Sequence, residues 1–192
     1  MIITISGKPG SGKSTVAKRL AADLGYQRYY IGLMRREAAR RRGLTLAEFN
    51  AWSEQHREGD EEYDQIVSRL GRDEDNIIVE SRTAFHFIPR SLRIFLDVSD
   101  EEGAMRVWQS LQKESKTERN EDKNLTSLAD VLRSVRERIK SDTARYRQYY
   151  QLDVFAKKNY DLFLDTTAMS QETEYQTVYD FVKSRLAAGQ SK

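Results

Sequence analysis

Short apolar, β-branched runs recur along this chain, and between them apolar positions return every three or four residues. The run IITIS predicts a strand over about 2–6, and STVAKRLAADL, shortly after it, has the spacing of a helix over about 13–24. Tyr26–Ile31 is aromatic and β-branched and predicts a short second strand. Residues 33–42 and 46–71 are charged and helical in pattern. Asn76–Glu80 reads as a short buried strand and Leu92–Val98 as another. Ser99 and Glu102 have the spacing of a capping box, opening a helix to about 112. Residues 113–124 are almost wholly polar. A helix is predicted from about 125–127 past Arg145, with a break allowed. Tyr160–Asp165 predicts a final strand. Residues 171–188 predict a last helix, with Tyr175, Val178, Phe181, Val182 and Leu186 along one face.

Strands alternating with helices imply a five-stranded parallel sheet with helices on both faces. Ligands in such folds sit beyond the carboxyl ends of the strands. One crevice should therefore collect the segment after the first strand, Glu80–Arg82, and the segments after Asp97 and Asp165. Two prolines and ten glycines among 192 residues leave no flexible linker, so 1–192 reads as one domain.

Composition narrows the picture by exclusion. Charged residues make up 32% of the chain, but 32 basic residues nearly balance 30 acidic ones, so nucleic acid is not an expected partner. Cysteine is absent, which removes disulfides and thiolate metal sites and agrees with a reducing cytoplasm. No apolar run approaches a membrane span, and the opening MIITISG lacks the basic start and long apolar stretch of an export signal.

Residues 7–14, GKPGSGKS, carry the strongest chemical signal. They match G-x-x-x-x-G-K-[ST], the phosphate-cradling P-loop, between a predicted strand and a predicted helix. Gly7, Lys8, Pro9, Gly10, Ser11, Gly12, Lys13, Ser14 and Thr15 are therefore the candidate donor-binding residues. Glycines let the backbone wrap a phosphate chain, and the helix N-terminus adds partial positive charge. Lys13 supplies a cation for the β- and γ-phosphates, and Ser14 a hydroxyl for Mg²⁺.

Phosphoryl transfer also needs cations at the migrating group and at an acceptor phosphate. Arginine suits both, because its planar fork binds phosphate oxygens in pairs. Arg82 follows a buried strand directly and should point into the crevice. Glu80, at that strand's end, is placed to hold a metal through water; a surface carboxylate is the plainer alternative. Arg35 and Arg36 open a run through Arg40–Arg42. A solvated helix face explains most such runs, while one or two of these arginines gripping an acceptor phosphate is the sharper reading. Arg36 and Arg40 have same-face spacing. Arg138, Asp142 and Arg145 lie at offsets of four and seven, one helical stripe that suits either a phosphate clamp or an ion-pair ladder. His56 and His86 suggest no metal site, and His86 reads as a hydrogen-bonded structural residue. Phe85 or Tyr30 could offer a ring to a base.

Taken together, these segments resemble the P-loop nucleoside monophosphate kinases, and within them the cytidylate kinases of the short, archaeal-like kind. The resemblance covers nearly the whole chain. It rests on the opening 26 residues, GLMRREAARRRGLTLAEFN, VESR, the Arg138–Asp142–Arg145 spacing with the following RYRQYYQLDV, and YDLFLDTT. It implies a P-loop NTPase-type three-layer sandwich, with an acceptor segment over about 33–72 and a lid over about 113–145. It implies ATP as donor with Mg²⁺, and CMP or dCMP as acceptor. Gly32, Arg36, Ser81 and Arg82 would hold the monophosphate. Arg138 and Arg145 would cover the migrating phosphoryl, with Asp142 holding them. A monomer in the cytoplasm is expected. Leu33, Ser81 and Thr83 depart from the family pattern, which bears on the acceptor nucleoside. The alternatives are another small-metabolite P-loop kinase, of the shikimate, gluconate or dephospho-coenzyme A type, and a non-catalytic nucleotide- or RNA-binding regulator.

Overall fold

The computed structural model describes residues 1–113 and 125–190. In chain order the elements are β1 (Ile2–Gly7), α1 (Lys13–Leu24), β2 (Gln27–Tyr30), α2 (Ile31–Arg41), α3 (Leu46–Ser53), α4 (Glu58–Asp73), β3 (Ile77–Glu80), α5 (Ala84–Phe87), β4 (Leu92–Asp97), α6 (Asp100–Lys113), α7 (Leu128–Tyr150), β5 (Leu162–Asp165) and α8 (Gln171–Gln190). The strands form one parallel sheet in the order β2-β3-β1-β4-β5. Alternate residues of each strand serve opposite faces. Ile3, Ile5 and Ile78 meet α1 and α8, whereas Ile2, Ile77 and Val79 meet α2, α3 and α4. This gives the expected three layers, with β1 central and fully buried.

The pattern over 46–71 resolves into two helices. Thr45 and Glu48 make a reciprocal capping box that starts α3, and a turn over 54–57 separates it from α4. α7 runs unbroken for 23 residues. Its first half packs on α6 through Val131 and Val135 against Ala104 and Leu111. Its second half docks on α3, where the Tyr149 hydroxyl donates to the Ser53 and Glu54 carbonyls at 2.9 and 2.8 Å. The segment expected to hold the acceptor is thus α2–α4. Of the expected lid, α7 is described and 114–124 lies outside the described residues. Among the described residues no helix is long and apolar enough to cross a membrane.

Candidate active site

The loop between β1 and α1 is shaped by its own glycines and by two neighbours. Gly10 and Gly12 sit at φ +77° and +83°, where a Cβ is strained. A Cβ on Gly10 would also lie 2.2 Å from the Gly103 carbonyl oxygen, so α6 presses directly on the loop. Lys8 turns away from the crevice, with Nζ 3.0 Å from Asp97 Oδ1, and ties the loop to the end of β4. Lys13 Nζ donates to the Lys8 carbonyl at 3.0 Å. Burial first, and then the Arg82 charge, lower its pKa to about 7, so an arriving phosphate would restore a full cation. Ser14 Oγ donates to Glu80 Oε1 at 2.5 Å, and Arg28 donates to the other oxygen at 2.5 Å.

A cavity of 590 Å³ opens beyond the carboxyl ends of the strands. Pro9, Gly10 and Gly12–Thr15 line it, while Gly7, Lys8 and Ser11 are not in the lining and Ser11 is fully buried. Gly32, Arg36, Ser81 and Arg82 line it as well, with Arg138 from α7. Arg36 donates to the Tyr30 hydroxyl and the Gly32 carbonyl, both at 3.1 Å. Arg40, its same-face partner by spacing, is exposed. Tyr30 lines the cavity, whereas Phe85 packs in the core against Tyr160. His86 is exposed rather than structural; it makes ring contacts with Phe87 and Tyr150.

The expected stripe on α7 divides. Arg138 reaches the cavity, but Arg145, 1% exposed, stays behind it and is absent from the lining. Its Nε lies 2.6 Å from Asp60 Oδ2 and its Nη2 2.8 Å from Asp142 Oδ1. Asp142 also lies 2.6 Å from Arg82 Nε. Burial pushes the Asp142 carboxyl up, but Arg82, Arg145 and Arg138 together outweigh burial and hold it below its ordinary value. Asp60 completes the lattice by accepting from Arg35 at 2.5 Å. In this arrangement Arg145 acts as a strut for carboxylates, one of which steers Arg82. The reason is position: α7 meets α3 and α4 at this level and buries the stripe's last member.

Several cavity residues had no motif to announce them. Tyr63 and Asp64 enter from α4, and Arg106 from α6. Glu174 enters from α8 and presses on Gly12, whose added Cβ would lie 2.2 Å from its Oε1. Burial pushes the Glu174 carboxyl up to about 7. Asp60, Tyr63 and Asp64 sit three to four apart on α4, the period of one inward face; that spacing was the available signal.

Ser14 and Glu80 suit a hard cation such as Mg²⁺. A hydroxyl and a carboxylate already face each other at the loop's edge, and oxygen donors are what that ion takes. Among the described residues no cluster of three or more acidic or histidine side chains makes a metal cage by itself.

An AAA domain matches residues 3–127. The chain's shape also follows that of a shikimate kinase from Bacteroides thetaiotaomicron, at TM-score 0.62 over 95% of this chain and 98% of that one; at 13% identity, that likeness concerns the fold alone. The parallel sheet, the glycine loop and the adjoining cavity define a P-loop nucleotide-binding protein of the small-kinase type. A cytidylate kinase from Natronomonas pharaonis is 35% identical over 90% of this chain and 84% of its own length. One from Haloquadratum walsbyi is 33% identical over 98% and 90%. At that identity and coverage, the chain belongs to the cytidylate kinase family, in its archaeal type.

Proposed function

We propose that this chain transfers the γ-phosphoryl group of ATP to CMP, giving CDP and ADP, and that dCMP is also an acceptor. The observation that carries the reading is one cavity shared by two sets of cations. Lys13 and the start of α1, Arg36, Arg82 and Arg138 all line it; on this reading Lys13 marks a donor end and Arg36 and Arg82 an acceptor end, with Arg138 between them. Two phosphate groups laid head to head along this cavity would meet positive charge at both ends and at their junction.

The chain's own residues then account for most of the chemistry. The loop amides and Lys13 bind the donor phosphates. Arg36 and Arg82 orient the acceptor, whose phosphate is already an oxyanion at neutral pH, so no strong base is required. Arg138 balances charge on the migrating group, a contact worth most in the transition state. Asp142 acts on Arg82 and fixes where its fork lies. Mg²⁺, held from Ser14 and through water from Glu80, would supply further charge neutralisation when bound. The acceptor segment 33–72 and the lid 113–145 would enclose the cavity and exclude water, which otherwise competes for the phosphoryl group.

An acceptor panel with ADP detection tests it. Turnover is expected with CMP and dCMP and absent with shikimate, gluconate and dephospho-coenzyme A. Turnover of one of those three in preference to any monophosphate would overturn the reading. The metabolite-kinase alternative has only the fold likeness behind it. The RNA-binding alternative is weakened by Arg35 and Arg36, which turn inward to Asp60 and Tyr30 instead of joining the exposed Arg40–Arg42.

A further inference from the structure

Four carboxylates stand in or behind the acceptor half of the cavity, and three are held by guanidinium groups. Asp60 pairs with Arg35 and Arg145, Asp142 with Arg82 and Arg145, and Glu80 with Arg28. Asp64 is held differently. Thr83 Oγ1 donates to its Oδ1 at 3.1 Å and the Tyr150 hydroxyl donates to its Oδ2, both neutral donors. Asp64 is also the wall between two cavities. Thr83 lines the 590 Å³ cavity on one side, and Tyr150 lines a separate cavity of 320 Å³ on the other. One oxygen is thus anchored from the rear, and the other sits with Thr83 beside the acceptor space.

We propose that Asp64 is the residue that reads the acceptor base, accepting a hydrogen bond from the exocyclic amino group of a pyrimidine whose phosphate rests on Arg36 and Arg82. The proposal builds on the nucleoside monophosphate reading above and adds the origin of base selectivity. An ionised carboxylate only accepts hydrogen bonds. At the corresponding positions cytosine presents an amino donor and uracil a carbonyl acceptor. A cytosine amino group would therefore find an oxygen, whereas a uracil carbonyl would face like lone pairs and stay unsatisfied in a buried place. The other three acids cannot take this role, since cations already occupy them. Burial, the main influence, and the Asp60 charge push the Asp64 carboxyl up to about 6, against the pull of Tyr150, Thr83 and Arg35, so it is mostly ionised at neutral pH.

The test compares kcat/KM for CMP and UMP in the wild type, Asp64→Asn and Thr83→Val, with thermal unfolding and the KM for ATP as controls. Asparagine keeps the shape but offers an N–H that suits uracil. The CMP-to-UMP ratio should fall by about 100-fold in Asp64→Asn, with the KM for ATP within about twofold of wild type. Thr83→Val, which frees the front oxygen, should lower the ratio by about fivefold. A folded Asp64→Asn variant that loses CMP and UMP activity equally, or keeps the wild-type ratio, overturns the proposal, because a purely structural role would affect both bases alike. Should Asp64→Asn fail to fold, an unchanged ratio in Thr83→Val overturns it instead. A wild type that phosphorylates neither nucleotide sinks the underlying reading and this inference with it, and the wild-type panel alone reveals that case.

Discussion

The two ends of the cavity are built by different means. The donor end proposed above draws its lining from one short stretch, Pro9, Gly10 and Gly12–Thr15, shaped by its glycines, with Glu174 pressed against it. The acceptor end is a lattice of side chains from α2, α4, the end of β3 and α7, spanning Arg35 to Arg145. Glycine geometry and the contacts from Lys8 and Gly103 hold the loop in place, so its shape is expected to survive loss of the Lys13 side chain. The lattice is held by its own charges. Each guanidinium positions a carboxylate that positions another guanidinium, so binding and stability cannot be separated there.

The largest expected effect probes the donor end. Lys13→Ala should lower kcat by about 10³-fold or more, with thermal unfolding near that of wild type, as read by circular dichroism and a coupled ADP assay. Activity above a tenth of wild type would break the contrast. Next, Arg145→Ala should cost about 3–5 kcal/mol of stability in urea unfolding, because it strips a partner from two buried carboxylates. A loss below about 1 kcal/mol would show that the lattice is not structural. Arg138→Ala tests the seam between the two ends. It should lower kcat by about 10²-fold with little change in either KM or in stability, and an effect on the CMP KM alone would move Arg138 into the acceptor lattice.

The smallest effect concerns Asp64. Its pKa in the folded protein, about 6, lies above the ordinary 3.8. Folding therefore favours the protonated form, and stability should fall as pH rises from about 4 to about 6. The full difference is at most about 3 kcal/mol. Asp64→Asn should flatten this part of the stability curve, and an unchanged slope would place the titration elsewhere.

Much of the fold was legible because its signals are local. The apolar runs that became β1, β3 and β4 needed only burial within a sheet, the run of β5 lies half-buried at its edge, and the loop motif carries its own conformation in Gly10 and Gly12. The continuous α7 and the split between α3 and α4 were less legible. Helical periodicity does not reveal whether a turn at 54–57 interrupts it, and the Thr45–Glu48 capping box lies within a charged run that blurs the helix start.

For the acceptor end, spacing alone set Arg138, Asp142 and Arg145 on one stripe but not the depth of each. The sequence by itself determined the sheet, the phosphate loop and which arginines share a helix face, because these follow from periodicity and backbone geometry within a few residues. Only the tertiary structure decided that Arg145 lies buried behind the cavity while Arg138 lines it. It alone showed that Asp142 steers Arg82 and that Asp64 meets Thr83 and Tyr150. Those outcomes depend on the level at which α7 docks against α3 and α4, a contact between segments nearly a hundred residues apart that no local pattern encodes.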